Sequence, residues 1–575
     1  MSGLDWRTLR RIVTVSLLGV VVGGLASVAA VAFVEAVELL NGWLLVSPYA
    51  RIQYETRPLL VGAATVLVPV AGGLVVGLLV RHFVAGQRGL GPPDSIIAVQ
   101  TGEAPPSARC GAGSTLAALV SLGCGASVGQ YGPLVYLGTL IGGLAGRLNL
   151  AVENLQAIGI ASGVAAAIAT AFNAPIAGLV FAHEVVLRHY SLRAFAPVTV
   201  AAATGYVVAN VILERPPLFL VRFDGVAHAH EFLLFALEGV LSAFLATGFV
   251  ALLGASGRLA RRVSLPLVLR PAAAGLVLGV VALEVPEVLG MGKETLRFAT
   301  IEGAFRLDEL ALITAAKVGT TALCIGFGFV GGVFSPALLI GILFGALFGS
   351  ALPLVPGLAT SGVVVYAICG MMAVTSPVIG APLTTILIVF ELTRNYDLTV
   401  AAMVAVVFAN LLAHRVVGRS VFDRQLKARG FDFSLGRDKA ILGSRRVADY
   451  LTTACTVVPP GIAVADLHER LHRDGRAEAH IVDRDGRHRG LVRLQDTVEA
   501  APDTPADTLA GGGGVTFTET TSVWDAMQQV RGFVGEAVPL VAGDGRFLGV
   551  VPEEAVIRAY EESVYDLRRE ENESA

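Results

Sequence analysis

Charge is what this 575-residue sequence has least of: Asp, Glu, Lys and Arg together make up 15% of it, against 54% hydrophobic residues. A soluble globular chain carries about a quarter of its residues charged. Most of this chain is therefore excluded from water, and its mean hydropathy of +0.69 agrees. The 43 basic and 46 acidic residues nearly cancel, and they are mixed along the chain. With no polybasic face, nucleic acid is excluded as an expected partner. Cysteine is scarce too. Cys110, Cys124, Cys324, Cys369 and Cys455 stand far apart without ligand spacing, four of them in apolar stretches where a thiol serves as a small hydrophobe. That excludes a disulfide framework and a cysteine metal site. The opening MSGLDWRTLRRI leads into a long apolar run without the short core and small-residue cleavage site of a signal peptide. This segment is expected to remain as a membrane helix, and Arg7, Arg10 and Arg11 favour a cytoplasmic start.

Apolar segments of uneven length follow one another from about residue 11 to about residue 417. Those at about 11–41, 57–84, 229–256 and 265–283 are long enough to span the hydrocarbon, which takes ~20 apolar residues. Others, at 173–186 and 333–349, are short and bounded by Pro or Gly. Broken or re-entrant helices lining a polar interior fit these, since unpaired backbone at membrane depth is tolerated only against protein or a water-filled path.

Gly163, Ala174, Pro175 and Glu184 recur as Gly370, Ala381, Pro382 and Glu391, 207 positions on (382 − 175). Gly129, Pro133, Gly138, Gly142 and Gly146 recur as Gly332, Pro336, Gly341, Gly345 and Gly349, 203 positions on (336 − 133). Two blocks at nearly one offset imply two homologous membrane halves. Repeats with interrupted helices in matching places point to a binding site between the halves, near the bilayer midplane.

From about residue 418 the chain becomes charged and then alternates polar residues with short β-rich runs. Here Asp485-Gly486-Arg487 with Gly490 recurs as Asp544-Gly545-Arg546 with Gly549, 59 positions on (544 − 485). Each Asp-Gly joins two β-like runs, as hairpin turns do. Amphipathic helices precede them, Val464 to His472 and Val523 to Arg531, and Gly511 to Gly514 reads as a linker. The pattern resembles a tandem CBS pair.

An unsolvated anion in a membrane faces a prohibitive desolvation cost. A remedy without full positive charge is a set of helix N-termini aimed at one point, each with free N–H groups and about half a positive charge. Such ends need Gly for close approach and Pro to start the helix. Three segments have that character: Gly89-Leu-Gly-Pro-Pro93, Gly129-Gln-Tyr-Gly-Pro133 and Gly331-Gly-Val-Phe-Ser-Pro336.

In content and order these resemble the GSGIP, GK/REGP and GxFxP ion-binding motifs of the CLC chloride channel and transporter family. FNAPIAGLVFAHE (Phe172 to Glu184), APLTTILIVFELTRNY (Ala381 to Tyr396) and SVFDRQL (Ser420 to Leu426) resemble family helices as well. The likeness covers about residues 10 to 430, and a C-terminal CBS pair is common in the family. It implies an all-α polytopic membrane protein with two inverted-repeat halves, plus a small α/β cytoplasmic CBS pair. The expected boundaries are 1–430 for the membrane domain, 431–442 for a linker, 443–500 and 507–565 for the CBS repeats, and 566–575 for a charged tail. The implied anion path runs along Gly89, Leu90, Gly91, Gly129, Gln130, Tyr131, Gly132, Val333, Phe334 and Phe422.

The departures bear on mechanism. The family's gating Glu of GK/REGP is here Tyr131. With a reference pKa near 10, about one tyrosine in a thousand is ionised at pH 7. Tyr131 can block the path, or return a hydroxyl to it, but cannot readily exchange a proton for chloride. The internal proton-accepting Glu of the family corresponds to Val185. The Ser of GSGIP corresponds to Leu90 and the pore-lining Tyr to Phe422, so two hydroxyl donors, each contributing about 0.5–1.5 kcal/mol net, are absent. Glu184 and Glu391 read either as proton carriers or as ion-pair and capping residues, which the resemblance favours. His183 reads as a packed side chain rather than a relay.

His468-Glu-Arg-Leu-His472 is an HExxH string, the pattern of helical zinc sites. It falls on a soluble amphipathic helix whose Leu467 and Leu471 face a core, so no metal is expected. His228-Ala-His230-Glu231 reads as a solvated loop. No cofactor is expected either. An adenine nucleotide at the CBS pair would use Asp496, but Arg493, Pro552 and Ala555 break the family's ribose-binding pattern. The expected function is passive or weakly coupled transport of chloride or another small anion by a homodimer in the cell membrane, with both termini cytoplasmic. No enzymatic activity is expected. The alternatives are an anion/proton antiporter with a non-standard proton route, or a non-conducting CBS-linked anion sensor.

Overall fold

The computed structural model describes residues 6–572 except 55, 149–153, 216–222, 224, 417, 419, 434–441, 444, 511–514, 532 and 534. Most of the expected 431–442 linker and the Gly511 to Gly514 linker therefore lie outside the described residues. The chain divides into two compact units, Met1–Gln425 and Leu426–Ala575.

The first unit is helical throughout, and among its described residues eight helices are long and apolar enough to cross a membrane. Trp6–Trp43, Pro58–Phe83 and Glu231–Arg262 occupy three of the expected spans. Along the first helix Leu17, Val21, Leu25 and Val28 form an exposed apolar face, as a lipid-facing helix requires. Two expectations fail. The segment expected to span at 265–283 is a helix only over Arg270–Glu284, because Pro271 stands at its start, where proline's fixed φ begins a helix but cannot continue one. Its 15 residues reach about 22 Å, short of the ~30 Å hydrocarbon. Conversely, the apolar stretch expected to be short at 333–349 continues through Leu354 and is long enough to span.

The two halves are built alike. Tyr131–Gly143 crosses Leu155–Phe172, and Phe334–Ala351 crosses Val363–Ile379. The repeated glycines stand at the crossings. A Cβ on Gly163 would lie 2.1 Å from Gly138 O, and one on Gly370 would lie 2.7 Å from Gly341 O. Only glycine lets these backbones touch. The repeat in the sequence is thus a repeat of helix contacts.

The second unit holds two three-stranded sheets of one design. β1 (Thr456–Val458) pairs parallel with β2 (Glu478–Val482), which pairs antiparallel with β3 (His488–Arg493). β4 (Phe517–Thr518), β5 (Ala537–Val541) and β6 (Phe547–Pro552) repeat that order. Gly486 (φ 77°) and Gly545 (φ 86°) adopt the left-handed conformation their hairpin turns require. The turns pair with each other through Arg487 and Arg546. Helices Val464–Asp474 and Val523–Val530 bury Leu467 and Leu471, and Val523 and Ala526, against their sheets. The last helix, Glu553–Asn572, runs without a break across the boundary expected at residue 565.

Candidate anion pathway

The halves meet at equivalent glycines. Gly129 N–H donates to Gly332 O at 2.8 Å, and Gly332 N–H donates to Gly129 O at 2.7 Å. There is no room for a side chain, since a Cβ on Gly132 would lie 2.9 Å from Gly332 Cα. From this bridge the helices Tyr131–Gly143 and Phe334–Ala351 depart, one in each half. First-turn N–H groups have no partner within their own helix. Among the described residues, those of Tyr131, Gly132, Val333 and Phe334 donate to no protein acceptor, whereas Gln130 N–H donates to Ser335 Oγ at 3.2 Å. Free amides at two neighbouring helix starts form a positive, neutral-chain environment suited to an anion.

The first motif is gathered to the same place but differently engaged. A Cβ on Gly89 would lie 2.7 Å from Val330 Cγ1. Leu90 N–H donates to Ser114 Oγ at 2.9 Å, and Gly91 N–H donates to Asp94 Oδ2 at 3.0 Å. Asp94 is held in turn by Arg88 at 2.7 Å. These two amides already serve the protein.

Tyr131 is buried, with 3% of its surface exposed. Its ring stacks on Phe172 (centroids 4.0 Å apart, planes at 20°) and meets Phe334 edge-on at 5.1 Å. Phe181 approaches Phe334 at 6.4 Å. Phe172 and Phe181 escaped the sequence reading, because an apolar ring in an apolar helix carries no spacing or polarity signal. Phe422 is buried on the short helix Val421–Lys427 and takes no part in these ring contacts among the described residues. Beside it Asp423 accepts from Arg188 at 2.7 Å and from Ser420 Oγ at 2.9 Å.

Val185 is buried in a π-helical stretch, Ala182–Leu187, and has no group that takes a proton. Glu184 and Glu391 work as reciprocal caps. Glu184 accepts from Leu383 N–H (3.0 Å), Thr384 N–H (2.9 Å) and Thr384 Oγ1 (2.7 Å), at the start of a helix in the other half. Glu391 accepts from Ile176 N–H (2.9 Å) and Ala177 N–H (2.7 Å) in the first half. His183 Nδ1 lies 3.0 Å from His189 O, and its ring stacks on Tyr190.

Residues 72–414 match the model of the family described as voltage gated chloride channel. The chain belongs to the CLC chloride channel family. A CBS domain is matched over residues 515–562, and the sheet β1–β2–β3 repeats its architecture upstream. The CLC chain is 32% identical over 420 residues to a putative chloride channel protein ClcB-like of Ralstonia nicotianae, covering 72% of this chain and 96% of that one. It is 31% identical over 428 residues to chloride channel protein CLC-f of Arabidopsis thaliana, covering 68% and 52%. Its fold is that of a slow cyanobacterial Cl−/H+ antiporter (24% identity, TM-score 0.66, covering 72% and 97%). A eukaryotic CLC transporter shares the fold over 96% of this chain and 99% of its own (19% identity, TM-score 0.64).

In the tail of this CLC protein, Asp496 Oδ2 accepts from Arg493 N–H at 3.3 Å and so caps its own turn. The HExxH residues are separately engaged: His468 Nε2 meets Thr497 Oγ1 at 2.6 Å, Glu469 pairs with Arg473, and His472 is exposed. His228 and His230 stack in their loop, with His230 Nε2 2.9 Å from Ala359 O. The inner face of the first sheet carries His480, 1% exposed, with its Nδ1 3.4 Å from His488 Nε2 and both rings stacked on Phe547 of the second repeat. Burial pushes His480 down to about 4 and also lowers His488. A histidine depressed on folding contributes stability above its unfolded value near 6.5, and that contribution is lost as pH falls toward 4. For His480 the loss is about 3 kcal/mol over that window. Protection factors of the β2 and β3 amides in the full chain, corrected for the intrinsic exchange rate at each pH, should therefore fall between pH 6.5 and 4, and His480→Asn should flatten the change. Equal protection across the window would refute it.

Proposed function

We propose that this CLC protein carries chloride or another small anion passively, or with weak proton coupling, along the path from the free amides of Val333 and Phe334 past Tyr131. The observation that carries the reading is the burial of Tyr131 between Phe172 and Phe334, directly at the bridge between the halves. A neutral phenol clamped by two rings obstructs an ion but does not shuttle protons. The valine at 185 leaves the inner end of the family's proton route without a carboxylate as well. The reading includes a homodimer, cytoplasmic termini, no enzymatic activity and no cofactor at the CBS pair, where Asp496 is engaged by its own turn.

Purified protein in chloride-loaded liposomes tests it. Chloride efflux should proceed with valinomycin alone and acidify or alkalinise nothing, and a proton ionophore should not speed it. Uphill proton movement driven by a chloride gradient would establish exchange in its place. A chain that moves no chloride under any gradient would leave the sensor reading.

A further inference from the structure

Helix Glu231–Arg262 carries a file of polar side chains on its buried face, and only the first is satisfied. Glu231 accepts from Ser361 N–H (2.9 Å), Ser361 Oγ (2.6 Å), Tyr366 Oη (2.9 Å) and His228 N–H (3.3 Å). Two turns further on, about 10 Å along the axis, Glu238 is 0% exposed and its carboxyl oxygens make no hydrogen bond of good geometry among the described residues, only the Gly370 backbone amide standing near. Ser242, one turn beyond, is equally buried with an unpartnered hydroxyl. By contrast, Ser27 on the first helix bonds to Gly205 O at 3.1 Å and accepts from Thr170 Oγ1 at 2.7 Å. Buried polar groups without partners are rare and call for an explanation.

The surroundings of Glu238 narrow that explanation. A Cβ on Gly345 would lie 2.9 Å from Glu238 Oε1, and one on Gly370 would lie 2.8 Å from it. The carboxyl thus stands at the crossing of Phe334–Ala351 and Val363–Ile379. The first of these helices has no titratable residue, and the second has Tyr366 and Cys369. In Leu307–Gly326, Lys317 Nζ is bonded to Val288 O (2.9 Å) and Gly290 O (2.7 Å), Cys324 is buried, and Asp308 and Glu309 lie in the first turn. In Tyr396–Val416 the titratable groups, Tyr396, Asp397, His414 and Arg415, are at the ends, as are Arg258, Arg261 and Arg262 of the carboxyl's own helix. Glu238 has no ion pair in the described structure, and an unpaired carboxylate out of water neutralises rather than staying charged. Acids at membrane depth are functional by default.

We propose that Glu238 is a proton-binding site of the membrane unit, loaded from the Glu231–Tyr366 end, whose proton keeps the Gly345–Gly370 crossing closed. Helix Phe334–Ala351 begins at the anion donors Val333 and Phe334. Removing the proton brings charge or water into the crossing and displaces that helix start, so anion flux falls as pH rises. The flux part rests on the anion-transport reading; the proton site does not.

Infrared spectra of the full-length protein in liposomes should contain a carbonyl band of a protonated carboxylic acid that shifts in heavy water and is missing in Glu238→Gln. Chloride efflux across a pH series should fall roughly fivefold or more toward alkaline pH in the wild type, the low end of typical coupling between sites. In Glu238→Gln it should stay at the acid-end level. If Glu238→Gln does not yield monodisperse protein, Glu238→Asp keeps the acid and should show the band displaced. An unchanged band in both variants, or an unchanged pH response in Glu238→Gln, overturns the proposal. Absence of any chloride flux with the band behaving as described removes the transport reading and leaves the proton site.

Discussion

Tyr131→Ala is expected to raise chloride efflux from liposomes by about tenfold to a hundredfold, while Tyr131→Phe leaves it near the wild-type rate. For an anion to pass, the Tyr131 ring must leave its stack with Phe172 and its edge contact with Phe334. Each aromatic contact contributes about 0.5–1.5 kcal/mol beyond area burial, so the two together add about 1–3 kcal/mol to the barrier, or about one to two decades of rate. Phenylalanine keeps both contacts and removes only the hydroxyl. If the hydroxyl instead solvates the ion, in place of the donors absent at Leu90 and Phe422, Tyr131→Phe will lower flux and alanine will not raise it. Tyr131→Glu should add a second pH dependence in the carboxylate range, present also in a Glu238→Gln background, yet Val185 should still prevent stoichiometric coupling. Identical flux and selectivity in all three variants would place Tyr131 outside the path.

The second large effect is on stability. Glu391→Ala and Glu184→Ala each strip a helix start in the opposite half of its acceptor, leaving two backbone N–H groups, and for Glu184 the Thr384 hydroxyl too, without a partner. At about 1–3 kcal/mol per orphaned donor, Glu391→Ala should cost about 2–6 kcal/mol and Glu184→Ala somewhat more. The melting temperature of the purified membrane protein should drop clearly in both. Glutamine, which keeps one acceptor oxygen, should recover part of the loss. If these carboxylates carried protons rather than capping helices, alanine would alter proton movement and leave the melting temperature in place.

Much of the fold is legible in the sequence because its rules are local. Gly138 and Gly163, and Gly341 and Gly370, announce close helix crossings, since any other residue would collide with a carbonyl. The Asp-Gly turns at 485 and 544 announce hairpins for a similar reason, their positive φ. Length was less legible. Hydropathy made 265–283 look like a span, but Pro271 starts the helix late and Arg270–Glu284 is too short. The site was legible only in part. Tyr131, Val333 and Phe334 stand in motifs, whereas Phe172 and Phe181 are apolar rings among apolar residues. Glu238 is one of two acids in its helix, and nothing in its spacing sets it apart from Glu231.

The sequence by itself determined the two-half membrane unit with its CBS tail, and it determined which groups this protein cannot use, the carboxylates missing at positions 131 and 185. The two halves follow from composition and the internal repeat, and the CBS tail and the missing carboxylates from the resemblance to family motifs, none of which needs a third dimension. Only the tertiary structure decided that Gly129 and Gly332 pair across the halves, that Glu184 and Glu391 cap helices in exchange, that Tyr131 lies clamped between two rings, and that Glu238 is buried at the Gly345–Gly370 crossing. Each of these joins residues from different helices, in three of the four cases about 200 positions apart or in opposite halves. Their energies come from burial and partner geometry, which arise only when the helices pack.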